Sequence, residues 1–295
     1  MEACHSFWSE PNRRRHQGEI RFPDYEQLTA ILSALEWKRH SGPVRMLTDT
    51  DGAAYFRDIG IAAFWDGTET VLDGLAETID PAAFWAAGKL QALSFLPLPC
   101  VMLDTDLVVW ENVEARLKGD AAAAHPEPLN PRTYPEPSCF PFSEGYAFPA
   151  RWDFSLNAAN TAFLFFRDKA LREAYLDEAF DFMRHIRPEG LDPVQTMCFA
   201  EQRILPMCAG ENGKTLGYLL KPGELLTQSS VTHTWGFKQV LRMSEQARDG
   251  FCMRCVRRIH LDFPQEAELL PTCRDLRDYE RRYREAKTLP DAGKE

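Results

Sequence analysis

At 295 residues, with 44% hydrophobic and 26% charged side chains, the chain has the make-up of a soluble globular protein with room for one large domain or two small ones. Its formal net charge of −10 argues against non-specific nucleic-acid binding, which needs a basic face, so no nucleic-acid partner is expected. There is no apolar run of about 18 residues, and the start "MEACHSFWSEPNRRR" lacks an apolar signal core, so the expectation is a cytoplasmic protein with no transmembrane segment, free to work peripherally at a membrane through a partner.

Along the chain, "CHSFW" (4–8) reads as a first strand, followed by a polar loop, "SEPNRRRHQGE". Residues 23–40 place Leu28, Ile31, Leu32 and Leu35 on one helical face. "VRMLT" (44–48) reads as a second strand, and a short helix then ends at Gly60. "PAAFWAAGKLQALSFL" (81–96) opens with proline, a favoured helix start. "CVML" (100–103) and "LVVW" (107–110) read as strands. Between 126 and 156 proline and aromatics crowd together without helical or strand period, the mark of a functional or irregular segment. Regularity returns with a strand at 161–166, helices at 168–186 and 192–209, and a short strand at 217–220. A mixed segment at 231–243 leads into a helix, and 275–287 is a charged helix with opposite charges at helical spacing. Strands alternating with helices predict an α/β protein, with ligands at the carboxyl ends of the strands.

Two Asp-Thr-Asp pairs fall at such ends. Asp104 and Asp106 follow the strand "CVML" and precede another apolar strand. Their carboxylates suit Mg²⁺ or Mn²⁺ and a bound phosphate, or else bond local backbone in a turn. Asp49 and Asp51 precede Gly52 and a helix, which predicts capping and turn duty with Asp49 near a ligand. "HTWGFK" adds His233, which either completes a metal shell or is incidental on a polar turn, with Gly236 for close backbone approach and Lys238 as a phosphate-binding charge, the three together being the more specific signal. Lys89 is either a snorkelling surface lysine or points at a sugar-phosphate. Asn157 and Asn160 either read hydroxyls or form a turn, and Glu201-Gln202 is a polar pair in an apolar helix that needs partners. Of the eight cysteines only Cys252 and Cys255 have a metal-like spacing. His260 and Cys273 are the nearby candidates to complete a zinc set, and reduced thiols near a helix are the expectation.

The order of these pieces resembles the GT-A glycosyltransferases, nucleotide-sugar enzymes built on one doubly wound, Rossmann-like α/β domain. The pieces are "FWSEP", "LTDTDG", "FWAAGKLQAL", "VMLDTDLVVW", "NAANTAFLFF", "FAEQ" and "HTWGFK". The last is similar to the His-x-x-Gly-x-Lys segment of the glycogenin and galactosyltransferase-like retaining branch. The whole string is closest to a bacterial glycosyltransferase-like group. The resemblance implies a single mixed sheet flanked by helices over 1–245, an acceptor-side insertion at 126–156 and a helical C-terminal extension from 246 to 295. It also implies Asp104, Asp106 and His233 as ligands of Mn²⁺ or Mg²⁺, and Lys238 and Gly236 at the donor diphosphate. Trp8, Ser9, Asp49 and Lys89 would then lie at the donor, UDP-sugar being favoured, with Asn160 or Asn157 at its sugar. The implied reaction moves a sugar, a hexose first, to a carbohydrate or other hydroxyl acceptor, as in surface-polysaccharide assembly. Retention is favoured over inversion. Inversion would need a carboxylate base, and Glu201 and Asp153 are the candidates. Two departures, "NAANTA" for Asn-Ala-Gly and Glu-Gln for Asp-Gln, bear on the sugar and the stereochemistry. The competing readings are an inactive nucleotide- or carbohydrate-binding protein and a haloacid-dehalogenase-type phosphatase, whose first motif is also an apolar strand ending in D-x-D.

Overall fold

Strand β1 (Ala3–Phe7) begins an alternation of strands and helices, and its first residues are buried on both faces, as a strand inside a parallel sheet requires. A computed structural model describes residues 1–225 and 227–288. It contains helices α1 (Ser9–Arg15) and α2 (Asp24–His40), strand β2 (Val44–Thr48), helix α3 (Thr50–Asp58) and strand β3 (Thr68–Thr70). Helix α4 (Ala87–Phe95) leads to β4 (Cys100–Leu103), β5 (Leu107–Val109), β6 (Ala121–Glu127) and β7 (Ala158–Phe166). Then come α5 (Lys169–His185), α6 (Pro193–Cys198), a π-helical turn (Phe199–Arg203) and α7 (Ile204–Glu211). Strands β8 (Leu216–Tyr218) and β9 (Val231–His233) precede α8 (Lys238–Met243), α9 (Glu245–Asp262), α10 (Pro264–Ala267) and α11 (Arg277–Thr288).

Seven strands form one mixed sheet in the order β3-β2-β1-β4-β7-β6-β8. The first four run parallel, β7 runs antiparallel to both β4 and β6, and β8 runs parallel to β6. Strands β5 and β9 pair separately as an antiparallel ribbon. Helices cover both faces, each over its own apolar core. One core joins α2 to Val256 and Ile259 of α9 and to Leu276 just before α11, and the other joins α4, α5 and α7 through Leu93, Tyr175 and Leu205. The fold is therefore α/β, as the strand–helix alternation predicts, and a doubly wound mixed sheet, as the resemblance implies.

Several local expectations are corrected. The supposed polar loop after β1 is helix α1, because Pro11 sits in its first turn, where no intrahelical N–H is needed, and Arg13–Arg15 lie at the negative end of its dipole. The helix expected from residue 81 starts only at Ala87, since residues 81–86 turn against Asp80, whose carboxylate accepts the Ala82 N–H at 3.0 Å. The alanine run of β6 has weak strand propensity, yet it pairs on both edges, and its small side chains sit fully buried. Pro126 and Glu127 belong to that strand, so irregular backbone starts after Glu127. Its aromatics do not form an open sugar-facing wall. Phe140 packs edge-on to Phe182 at 5.4 Å and against Phe199 at 4.8 Å, while Phe148 lies 5.1 Å from Phe199. A buried ring such as that of Phe140 contributes about 1.5–3 kcal/mol. That stabilisation holds the non-repetitive segment in place.

Cys252, Cys255 and Cys273 are buried free thiols, and burial pushes the Cys255 thiol up to about 12. His260 is engaged by Glu280 at 2.6 Å, and among the described residues these side chains do not form a group close enough to hold a metal ion. Among the described residues, no helix is long and apolar enough to cross a membrane.

Candidate functional site

The second Asp-Thr-Asp pair sits on a turn whose backbone is fixed at each end. Asp104 N–H donates to the Ala162 carbonyl of β7 at 2.8 Å, and Leu107 N–H closes the turn onto the Asp104 carbonyl at 3.0 Å. Asp106 is then delivered at the start of β5. The β5–β9 register sets Leu107 opposite His233, so a residue more than a hundred positions downstream arrives beside Asp106. Thr234 N–H locks the arrangement by donating to the Asp106 carbonyl at 3.1 Å. One ligating atom from each of Asp104, Asp106 and His233 lies within 4.8 Å of the others. Among the described residues this is the group of His, Cys, Asp and Glu side chains close enough to hold a metal ion.

Two lysines flank the pair. Lys238 Nζ lies 2.9 Å from Asp106 Oδ2 and 3.7 Å from Glu26 Oε1, and His233 Nε2 lies 3.6 Å from Asp106 Oδ1. Lys89 Nζ donates to Asp104 Oδ1 at 2.8 Å and to the Thr161 carbonyl at 3.1 Å, and it is ion-paired with Glu201. An ammonium has three N–H donors, and all three are taken by protein acceptors on a side chain only 6% exposed. Lys89 is therefore a buried brace between Asp104 and Glu201. Each aspartate has one oxygen tied to a lysine, which leaves Asp104 Oδ2 and Asp106 Oδ1 free of lysine partners. Two carboxylate oxygens, each on an aspartate oriented by a lysine, and an imidazole nitrogen fit Mn²⁺ or Mg²⁺.

The charges are unequal. Burial would raise the Asp106 carboxyl, but the neighbouring His233 ring and the Lys238 charge hold it well below the usual carboxylate range. Asp104 is shifted the other way, chiefly by burial, with Lys89 opposing and Glu201 and Asp106 adding. Burial would lower both lysines. Asp104 and Glu201 nevertheless hold Lys89 protonated, and Asp106 and Glu26 do the same for Lys238.

Glu201 reaches the cluster from the π turn inside an otherwise α-helical stretch, a backbone irregularity common at functional sites. Its Oε1 accepts Thr161 Oγ1 at 2.6 Å, and its carbonyl accepts Tyr175 Oη at 2.6 Å. The next two residues of the turn hold the irregular segment. Tyr134 Oη donates to Gln202 Oε1 at 2.5 Å, and Arg203 donates to the Phe154 carbonyl at 2.8 Å and also to that of Leu156.

The first Asp-Thr-Asp pair splits. Asp49 caps α3 by accepting the Gly52 N–H at 2.7 Å, and its other oxygen takes Ser9 N–H at 2.8 Å and Ser9 Oγ at 2.9 Å. Burial raises its carboxyl, and those same bonds oppose the shift. Asp51 is exposed and pairs with Arg13. Trp8, Ser9, Asp49, Thr50, Asp73 and Gly74 line a cavity of about 220 Å³ at the carboxyl ends of β1 and β2.

Other predicted residues lie elsewhere. Asn160 Nδ2 donates to Glu127 Oε1 at 2.9 Å, and Asn157 is exposed at the start of β7. Asp153 is exposed and accepts Ser155 Oγ at 2.6 Å and Ser155 N–H at 2.9 Å, bonds that hold its carboxyl below the usual range. It does not join the cluster. Gly236 has open space where a Cβ would stand. Glu26, Glu127 and Thr161 were not legible as site residues, since each is an ordinary polar position within a helix or strand pattern.

Among solved structures the chain is similar to the glycosyltransferase GlyE of Streptococcus pneumoniae TIGR4 at 15% identity and a TM-score of 0.32, over 62% of this chain and 38% of that one, so it spans well under half of GlyE. It is similar to mouse xyloside xylosyltransferase 1 at 9% identity and a TM-score of 0.37, over 74% of this chain and 85% of that one. It is also similar to the galactosyltransferase LgtC, solved with donor and acceptor sugar analogues, at 12% identity and a TM-score of 0.36, over 74% of this chain and 73% of that one. No curated protein matches the sequence. Residues 1–246 match the model of a family of unknown function, DUF6734, and the chain belongs to that family.

Proposed function

We propose that the chain is a metal-dependent glycosyltransferase that moves a sugar from a nucleotide-diphosphate donor, UDP-sugar first, to a hydroxyl acceptor. The observation that carries the reading is the convergence of Asp104, Asp106 and His233 with Lys238 alongside. Mn²⁺ or Mg²⁺ in that group would neutralise the donor diphosphate as it departs. Lys238 would bear on the same diphosphate, because its ammonium is kept charged at the rim of the group. The cavity beside Trp8 and Asp49 is the proposed nucleoside end of the site. Residues 1–245 would carry donor binding and catalysis, with the helices from 246 onward bracing α2.

The carboxylates also bear on stereochemistry. Glu201 Oε1 is already engaged by the Lys89 ammonium and the Thr161 hydroxyl, and Asp153 is hydrogen-bonded with a depressed carboxyl that makes it a weak base. Inversion needs a competent base, whereas same-face substitution can pass the acceptor proton to the departing phosphate. This supports retention. The segment after Glu127 is the proposed acceptor side, because Tyr134 and Arg203 tie it to the turn that carries Glu201.

The test is thermal stability with UDP, GDP and CDP, each with and without Mn²⁺, followed by sugar release from the matching donor. A metal-dependent rise with one nucleotide, abolished in Asp104→Ala, is expected. No shift with any nucleotide would sink the reading.

A further inference from the structure

A chain of hydrogen bonds runs through the core to the residue next to Asp106. Trp65 Nε1 donates to His5 Nδ1 at 2.9 Å, His5 Nε2 lies 3.0 Å from Ser33 Oγ, and Ser33 Oγ donates to the Leu107 carbonyl at 2.5 Å. His5, Ser33 and Leu107 are no more than 2% exposed and Trp65 is 5% exposed. The direction of every bond is fixed by donor inventory. An indole N–H can only donate, so His5 Nδ1 must accept and the proton of the neutral ring is on Nε2. Ser33 therefore accepts from His5 and spends its own proton on the Leu107 carbonyl. Four elements meet in this chain: the β2–β3 connection, β1, α2 and β5.

Leu107 is where the chain matters for the site. It directly follows Asp106, its N–H closes the turn onto Asp104, and it is the register partner of His233. The Leu107 carbonyl is buried against α2, and Ser33 is its hydrogen-bond partner. Such a carbonyl left without a partner costs about 1–3 kcal/mol, enough to make the strand shift. All three candidate metal ligands hang on the backbone around this carbonyl.

We propose that Ser33, oriented by His5 and Trp65, is a positioning residue that sets the spacing of Asp104, Asp106 and His233 through the Leu107 carbonyl. This rests on the metal reading above and concerns groups that touch neither metal nor donor. Outer partners of metal ligands commonly change metal affinity by about 10–100-fold. Ser33→Ala should therefore weaken Mn²⁺ binding by at least about tenfold, read by electron paramagnetic resonance without any sugar donor. Ser33→Thr, which keeps the hydroxyl, should restore binding to within about threefold of native. Ile31→Val on the same helix serves as a control that lowers stability without touching the chain. Where Ser33→Ala fails to fold, Ser33→Cys keeps the volume with a weaker donor and carries the comparison. Native binding that persists unchanged in the Ser33 variant, or an equal loss in Ile31→Val, overturns the positioning role alone. A native chain that takes no Mn²⁺ overturns the metal reading and this inference with it.

Discussion

Lys238 Nζ stands 2.9 Å from Asp106 Oδ2, so the cation expected at a donor diphosphate already holds one of the proposed metal ligands. Charge-assisted bonds of this kind contribute about 1.5–3 kcal/mol. Lys238→Ala should weaken UDP binding in the presence of Mn²⁺ by roughly 10–100-fold, measured by calorimetry. Arginine, with its planar fork, should restore only part of the affinity.

Lys89 should behave differently, as a stability residue. Lys89→Met strands Glu201 and part of Asp104 without their cation, and breaking a buried pair from one side costs about 3–5 kcal/mol. The expected result is a lower urea midpoint with unchanged m, partly recovered in the double variant Lys89→Met, Glu201→Gln. An unchanged midpoint would contradict the brace.

Gly88→Ala tests how α4 docks on the end of β1. A Cβ there would stand 2.5 Å from Trp8 Cβ, an atom close to the backbone that cannot swing aside. Alanine gains about 1 kcal/mol of helix propensity, against about 1–3 kcal/mol for the overpacking. The clash should win, with a lower Tm and weaker nucleotide binding at the Trp8 cavity.

Burial lowers His5 to about 3, with the Asp106 charge opposing, while the unfolded ring titrates near 6.5. Between those values the unfolded chain binds more protons, so stability rises with pH. The contribution is complete above about pH 6.5 and is lost as pH falls toward 3, at up to about 1.4 kcal/mol per unit. His5→Gln should be less stable at pH 7.5 and show a shallower decline down to pH 4. Parallel declines in the two proteins would contradict the assignment.

Arg203 is 4% exposed and holds the carbonyls of Phe154 and Leu156. Arg203→Met should release residues 150–157, with amide exchange there at least about tenfold faster while β1 and β4 stay protected. Equal acceleration across the sheet would point to global destabilisation instead.

The α/β alternation, the strand before Asp104 and the helix-capping role of Asp49 were legible in the sequence because each is local: burial period, capping chemistry and turn residues act within a few positions. The motif order also drew His233 and Lys238 toward Asp106. What short-range pattern could not carry is pairing. Tertiary structure alone decided that β5 pairs with β9 in the register that sets Leu107 against His233. It decided that Lys89 turns inward and spends all its donors on Asp104, Thr161 and Glu201. It also made the alanine run of β6 a strand with partners on both edges, and folded the proline-rich aromatics onto Phe182 and Phe199. A lysine reads the same in sequence whether it faces solvent or a buried carboxylate. Its role is fixed by which groups the packed chain leaves within reach, and that depends on residues more than a hundred positions away.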